Sequence, residues 1–331
     1  KHIVATVGII ASPSAGKDVR RLVGHAGSTG DVDKIAVIRR AALGVIESGV
    51  DRLLYLDDTR HLIQRALDGI PHGGVQIEPI DQAVMGTGRD SVKAAHALKE
   101  EHAGAVIVFG GDGTNRDVAK GWQDIPLLPL SVGTNNVFPF HIEATVGGIA
   151  AGLVAKQIVP LTEVAQQAKV ITVEYANGEN DLALVDLVLV SGDFIGSRAI
   201  WDVSNLQEGI FAIAESATVG LSSIAATLHV IDRNDDAGMY VQMGEGNGTV
   251  RAPIAPGTYE TVPIKASKKI ELNEKISIKG PGVLAFDGER DRVLQKGEKI
   301  VVAITKQGPW VINTHRALDL ANIKKHFVSS T

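Results

Sequence analysis

Residues 109–117 read FGGDGTNRD, straight after the apolar run AVIV. Three glycines at that point let the chain turn sharply and leave its N–H groups uncovered by side chains, which suits an approaching phosphate. Asp112 and Thr114 stand within the same turn. A turn from strand to helix also favours Gly, Asp and Thr, so local chemistry leaves both readings open. Two further loops share this setting: SPSAGKD offers Ser12, Lys17 and Asp18 after the first apolar run, and VGTNN offers Gly133, Thr134, Asn135 and Asn136 after PLLPLS. SPSAGKD contains Gly-Lys but lacks the G-x-x-x-x-G-K-[ST] spacing that wraps phosphates.

In the second half, PGVLAFDGERDRVL puts Asp287, Gly288 and Glu289 at the end of an apolar run. Asp-Gly is first a hairpin signal. Facing a cleft, Asp287 or Glu289 would instead serve as a Mg²⁺ ligand or proton acceptor. GTGRDS (86–91) matches the dinucleotide fingerprint only in part and reads as a loop leading into a helix capped by Asp90; the full fingerprint is absent after the first strand, which argues against hydride transfer. With no cysteine, thiolate catalysis, disulfides and Cys-based metal sites are excluded, and the ten histidines form no H-x-x-x-H pair for zinc.

These groups need elements to position them. Short apolar runs alternate with amphipathic stretches over the first 160 residues, predicting repeated βα units and a parallel sheet. The strand candidates are HIVATVGII, RLLYL, GVQIEPI, AVIVFG and PLLPLS. Between them, Ile35, Ile38, Ala42 and Val45 share one helical face, DSVKAAHALKEEHAG is a second helix, and Ile142, Val146, Ile149 and Leu153 recur at helical spacing. If the sheet is parallel, the three glycine loops all lie at strand C-terminal ends, where doubly wound sheets bind ligands. After Pro160 short strands with turn residues predict a mainly β domain over 161–331, with an Ala-rich helical insertion near 196–229 at the interdomain cleft. NTHRALDLANIKKHF is a closing helix, capped by Asn313 or Thr314.

Composition sets further bounds. The 331 residues are 44% hydrophobic and 21% charged, as in a two-domain globular protein. A net charge of −5 argues against nucleic acid as partner. The opening apolar stretch is too short for a signal-peptide core or a membrane span, so a cytoplasmic protein without membrane association is expected.

In combination, GGDGT after a buried strand, GTNN about twenty residues on, SPSAGKD at the first turn and FDGE in a β-rich second half resemble the superfamily of NAD kinases and diacylglycerol or sphingosine kinases. SPSAGKDVRRLV, GGDGTNRDVAKG, SVGTNNVFP, EATVGGIAAG and VLVSGDFIGSRAIWD look most similar to its acetoin catabolism protein X (AcoX-like) branch, over nearly the whole chain. The resemblance implies an NAD kinase-like α/β nucleotide-binding domain (1–160) with a parallel sheet, followed by a mainly antiparallel β-sandwich domain. It implies ATP as phosphate donor and Mg²⁺ as cofactor, with Gly110, Gly111, Gly113, Thr114, Asn115, Ser12, Lys17, Asp18 and the GTNN residues on the nucleotide, and Asp112 and Glu289 on the metal. Asp112, by analogy with NAD kinases, and Asp287, by analogy with lipid kinases, are the two catalytic candidates.

The Asn-Glu pair with which NAD kinases contact the acceptor is absent from LVLVSGDFIGSRAIWD, where Asp193 and Arg198 stand instead. Only 4% of residues are aromatic and no basic amphipathic segment is present, which disfavours a lipid acceptor. The expectation is an ATP- and Mg²⁺-dependent kinase of a soluble nucleotide or diol, NAD(H) first, acting as a homo-oligomer. The alternatives are a kinase of another small polyol in acetoin-linked metabolism and a catalytically inactive nucleotide sensor.

Overall fold

The computed structural model describes residues 3–13, 30–133, 136–192 and 202–329. Lys17, Asp18, Thr134, Asn135, Asp193 and Arg198 therefore lie outside the described residues. The first half alternates strands and helices in chain order: β1 (Thr6–Ala11), α1 (Asp31–Glu47), β2 (Arg52–Tyr55), α2 (Leu62–Leu67), β3 (Gln76–Pro79), α3 (Gly88–Glu100), β4 (Ala105–Phe109), α4 (Asp112–Gly121), β5 (Pro126–Leu130) and α5 (Ala144–Ala155). β1, β4 and β5 are buried at every position, which is what strands covered on both faces require.

The strands run β3-β2-β1-β4-β5, all parallel. Connections first move outward from β1 through β2 to β3, then return to β4 on the other side of β1. The order therefore reverses between β1 and β4, a topological switch point. Trp310–Ile312, parallel to β5, and Ala165–Gln167, antiparallel to it, extend the sheet to seven strands. One face packs α1, α2 and α5 in a core with Ile9, Ile107 and Leu128, and the other packs α3 and α4 against Ile10, Val106 and Val108.

The face of α5 differs from expectation. Its buried positions are Gly147, Gly148, Ala150, Ala151 and Leu153 among others, whereas Val146 is exposed. A Cβ at Gly44 would overlap the Thr145 carbonyl oxygen, and one at Gly148 that of Ala41. α1 and α5 thus touch backbone to backbone, and the glycines of EATVGGIAAG are the contact surface. α3 begins at Gly88 rather than Asp90; the Asp90 carboxylate accepts N–H bonds from Met85 and Gly86, closing the preceding loop.

The second half forms two antiparallel sheets, of seven and four strands. Leu187, Ile210, Leu284 and Phe286 from the larger meet Ile171, Val173, Ile278 and Val302 from the smaller in one core, making a β-sandwich. The helical insertion anticipated near 196–229 is corrected. Of its described part, Leu206–Phe211 is a central strand of the larger sheet, paired with Asp186–Val190 and Ala237–Met243, and only Ser222–Leu228 is α-helical. Positions 209–214 are buried without a break, and such a run has no periodicity to separate strand from helix. The closing helix spans Thr314–Ile323, with Asn313 Oδ1 accepting the Arg316 N–H at 3.0 Å. No helix among the described residues is long and apolar enough to cross a membrane.

Candidate functional site

The strand order brings the C-terminal ends of β1, β4 and β5 side by side, so the loops that leave them converge. The Ser12 N–H donates to the Phe109 carbonyl at 3.2 Å, and the Gly110 N–H to that of Leu130 at 3.3 Å. α4 starts at Asp112 with Gly111 as N-cap, so GGDGT is the switch-point turn and the first turn of a helix at once. Its glycines are required for space rather than for left-handed backbone: none of the three has a positive φ. A Cβ would meet Thr114 Cβ at 2.5 Å from Gly110, Asn136 Oδ1 at 2.5 Å from Gly111, and Glu289 Oε1 at 3.0 Å from Gly113.

The Asp112 carboxylate holds the next loop, accepting N–H bonds from Val137 (3.0 Å) and Phe138 (2.8 Å), just past GTNN. Asn136 Nδ2 donates to Ser131 Oγ at 3.0 Å, and the Gly133 N–H reaches the same hydroxyl at 3.4 Å. Asn115 is fully buried, its Nδ2 donating to the Gly111 carbonyl at 2.9 Å. Its side chain fastens the helix start and offers no surface to a ligand.

The β-sandwich closes over this edge. Asp287 and Gly288, with φ of 51° and 83°, form the tight turn between Gly282–Phe286 and Glu289–Leu294, so the hairpin signal is real. The turn also does electrostatic work. The nearly buried Asp287 carboxylate accepts N–H bonds from Leu184, Val185 and Asp186 at 2.7–3.2 Å. Its pKa is raised to about 7: burial pushes it up most, the Leu184 and Val185 amides pull it back, and the Asp112 charge adds to the rise. The two candidate catalytic carboxylates are thus close enough to feel one another.

Arg116, one turn into α4, locks the halves together. Its guanidinium is buried, donates to the Leu182 carbonyl (2.7 Å) and to Asp181 (2.9 Å) and Asp291 (3.1 Å), and stacks over the Phe286 ring. Desolvation lowers its pKa, but the carboxylates, Asp181 first, more than offset that, and it stays charged.

Between the sheet edge and the hairpin opens a cleft of about 540 Å³, within the usual range for small-molecule sites. Of the residues expected at the site, Ser12, Gly113, Thr114 and Glu289 line it; Asp112 and Asp287 do not. Sequence reasoning passed over Asp58, Thr59 and Arg60 after β2 and Asp117, and read Gly86–Gly88 before α3 only as a loop, yet all of them line the cleft. The signal was available, since DDTR follows RLLYL at the same sheet edge. Asp58 accepts N–H bonds from Arg60 (2.8 Å) and Leu62 (3.0 Å), and burial raises its pKa. Asp117 is raised to about 6 by burial first, with Arg116 opposing and Glu289 adding to the rise. Among the described residues no three His, Asp or Glu side chains form a ready-made metal cage.

Comparison with known proteins follows this division of the chain. Residues 60–158 match the family model of the ATP-NAD kinase N-terminal domain, and residues 169–307 that of the acetoin catabolism protein X C-terminal domain. Acetoin catabolism protein X of Cupriavidus necator is 31% identical over 98% of this chain and 93% of its own length. The chain belongs to the acetoin catabolism protein X family. An uncharacterized protein of Archaeoglobus fulgidus is 36% identical over 66 residues, 20% of this chain and 22% of that protein. A crystal structure described as "a putative diacylglycerol kinase" from Bacillus anthracis superposes with a TM-score of 0.41 at 12% identity, covering 94% of this chain and 99% of that one, too distant to bear on function. Within the family, GGDGT, the Asp287 turn and Arg116 all fall inside the two matched domains.

Proposed function

We propose that this family member is an ATP-dependent kinase that phosphorylates a hydroxyl of a soluble acceptor, NAD(H) first among the candidates. The observation that carries the reading is the cleft at the switch point, where the first turn of α4 meets Glu289 of the hairpin. Phosphoryl transfer asks mainly for positioning and charge neutralisation, and helix N-termini at a switch point are where phosphates bind. The acceptor oxygen bonds to the γ-phosphorus as the bond to the β-phosphate oxygen breaks, and the hydroxyl proton passes to a carboxylate. Asp287 and Asp112 are the two candidates for that proton; both stand behind the cleft lining, held by backbone N–H groups, so the one that takes it must come within hydrogen-bond reach of the acceptor. Asp112, by holding Val137 and Phe138, keeps the loops at their spacing.

Mg²⁺ fits these residues by donor type: the Glu289 carboxylate lines the cleft and lies close over Gly113, with Asp112 in the same turn behind it, and an ion that keeps waters and takes phosphate oxygens needs just one or two carboxylates. When bound, it would neutralise charge on the phosphates. One observation favours a nucleotide-sensing protein instead, namely that both candidate carboxylates already accept two or more backbone N–H bonds.

The deciding experiment incubates the protein with ATP, Mg²⁺ and, in turn, NAD, NADH and small polyols, and follows phosphorylated product and ADP. Product from NAD or NADH is expected. Product from a polyol alone keeps the kinase and removes NAD(H). Stabilisation by ATP, about 2.7 kcal/mol at 100 times its dissociation constant, with no product from any acceptor would instead support the sensor.

A further inference from the structure

On the other side of residues 137–138 from Asp112 lies a second cavity, of about 340 Å³, sharing no lining residue with the cleft. Its charged and titratable wall consists of His141, Lys169, Arg233, His315 and Arg316, with no carboxylate among the described lining residues, although the protein as a whole carries a net charge of −5. Phe138, Phe140, Ile142 and Ile213 supply apolar surface. The closing helix Thr314–Ile323 begins at the wall, so its positive end adds to the same potential.

Two buried polar groups indicate a site built for a ligand. Thr314 is 2% exposed, lines the cavity, and its Oγ1 has no hydrogen-bond partner, a state a folded protein seldom leaves a hydroxyl in. Lys169 is also 2% exposed; its ammonium gives two protons to the Asp232 (3.1 Å) and Ala237 (2.8 Å) carbonyls, which leaves one donor of three. Arg233 is partly neutralised by Glu215 at 3.0 Å, and Lys169, its pKa lowered to about 8 by burial, feels the charges of Asp235, Asp232 and Asp236 behind the wall, so the exposed Arg316 adds the charge that the other two share with carboxylates.

We infer that this cavity is a second ligand site that takes a small organic anion, a short carbon skeleton ending in a carboxylate or a phosphate monoester. The anionic head is held by Thr314, Lys169 and Arg316, and the skeleton packs on Phe138 and Ile213. The site is wired to the GGDGT loop. Arg233 donates to the carbonyls of Phe138 (3.0 Å) and Val137 (2.9 Å), the two residues whose N–H groups Asp112 holds. A ligand that orders Arg233 therefore orders the segment that positions the cleft.

Calorimetric titration with butyrate, lactate and glycerol 3-phosphate, with 1,2-propanediol as neutral control, tests the site without relying on turnover. Saturable binding of at least one anion is expected, not displaced by ATP, with the diol silent; the carboxylate and phosphate arms decide which head group is preferred. Thr314→Val and Arg316→Gln should each weaken binding by about tenfold or more, the scale of a hydrogen bond to a charged group. Thr314→Val should melt no lower than wild type, since the lost hydroxyl has no partner; should it fail to fold, the exposed Arg316→Gln carries the test. Absence of saturable binding by every anion, equal affinity in the folded variants, or displacement by ATP would each overturn the inference.

Discussion

At the scale of single residues, the proposed phosphoryl transfer rests on two carboxylates that both accept backbone N–H bonds. Asp112→Asn keeps the shape and loses the charge, so turnover should fall about 10² to 10⁴-fold, the span of a positioned acid–base or charge-holding group, with the melting temperature little changed. Loss of stability with undiminished activity per folded molecule would mark Asp112 as a turn residue only. Asp287 gives a pH signature. Its folded pKa near 7 lies above the ordinary 3.8, so the folded state binds the extra proton between those values. The stability it contributes is complete below about pH 4 and declines as pH rises through about 7. Wild type should therefore lose stability relative to Asp287→Asn between pH 5 and pH 8, read by urea unfolding at both. A constant difference between the two proteins would mean that the carboxyl titrates as it does in the unfolded chain.

Among the elements, α1 and α5 pack backbone to backbone on one face of the parallel sheet. Alanine is a better helix former than glycine by about 1 kcal/mol, so propensity alone predicts that Gly148→Ala stabilises. The tertiary contact predicts the reverse, because the new methyl meets the Ala41 carbonyl, a backbone atom that cannot swing aside. Overpacking of this kind costs roughly 1–3 kcal/mol or more, which outweighs the propensity gain, and Gly148→Ala should unfold at lower urea. Gly121, whose Cβ would strike the Val92 carbonyl between α3 and α4, should behave likewise. A stabilised Gly148→Ala would show that the helices can separate freely.

For the whole molecule, Arg116 is the residue through which the helix carrying GGDGT is tied to the sandwich carrying the Asp287 turn. Its removal strands the mostly buried Asp181 and opens the stack on Phe286. Breaking a buried pair from one side costs about 3–5 kcal/mol; with Asp291 half-exposed, the lower end applies to Arg116→Met. The expected result is a large loss of stability together with weaker ATP binding at a temperature where the variant is still folded. Arg116→Lys should restore little, since a point charge cannot serve three acceptors and a ring face at once.

The alternation of apolar runs with amphipathic stretches determined the βα units, and motif spacing determined which loops would share an edge, because parallel strands deliver their following loops to one end of the sheet. GGDGT and FDGE were legible as turns, because a strand-to-helix turn and a hairpin both favour Gly and Asp locally. Other features were not local. The run 206–211 became a strand because partners on both sides supplied its hydrogen bonds, and the continuously buried stretch 209–214 carries no periodicity that announces those partners. The glycines of GGDGT proved necessary through Asn136 and Glu289, residues 25 or more positions away. Asp117 on the cleft wall and the bearing of the Asp112 charge on Asp287 across the two halves were likewise decided only by tertiary structure, since burial and proximity, not residue identity, set how those groups titrate.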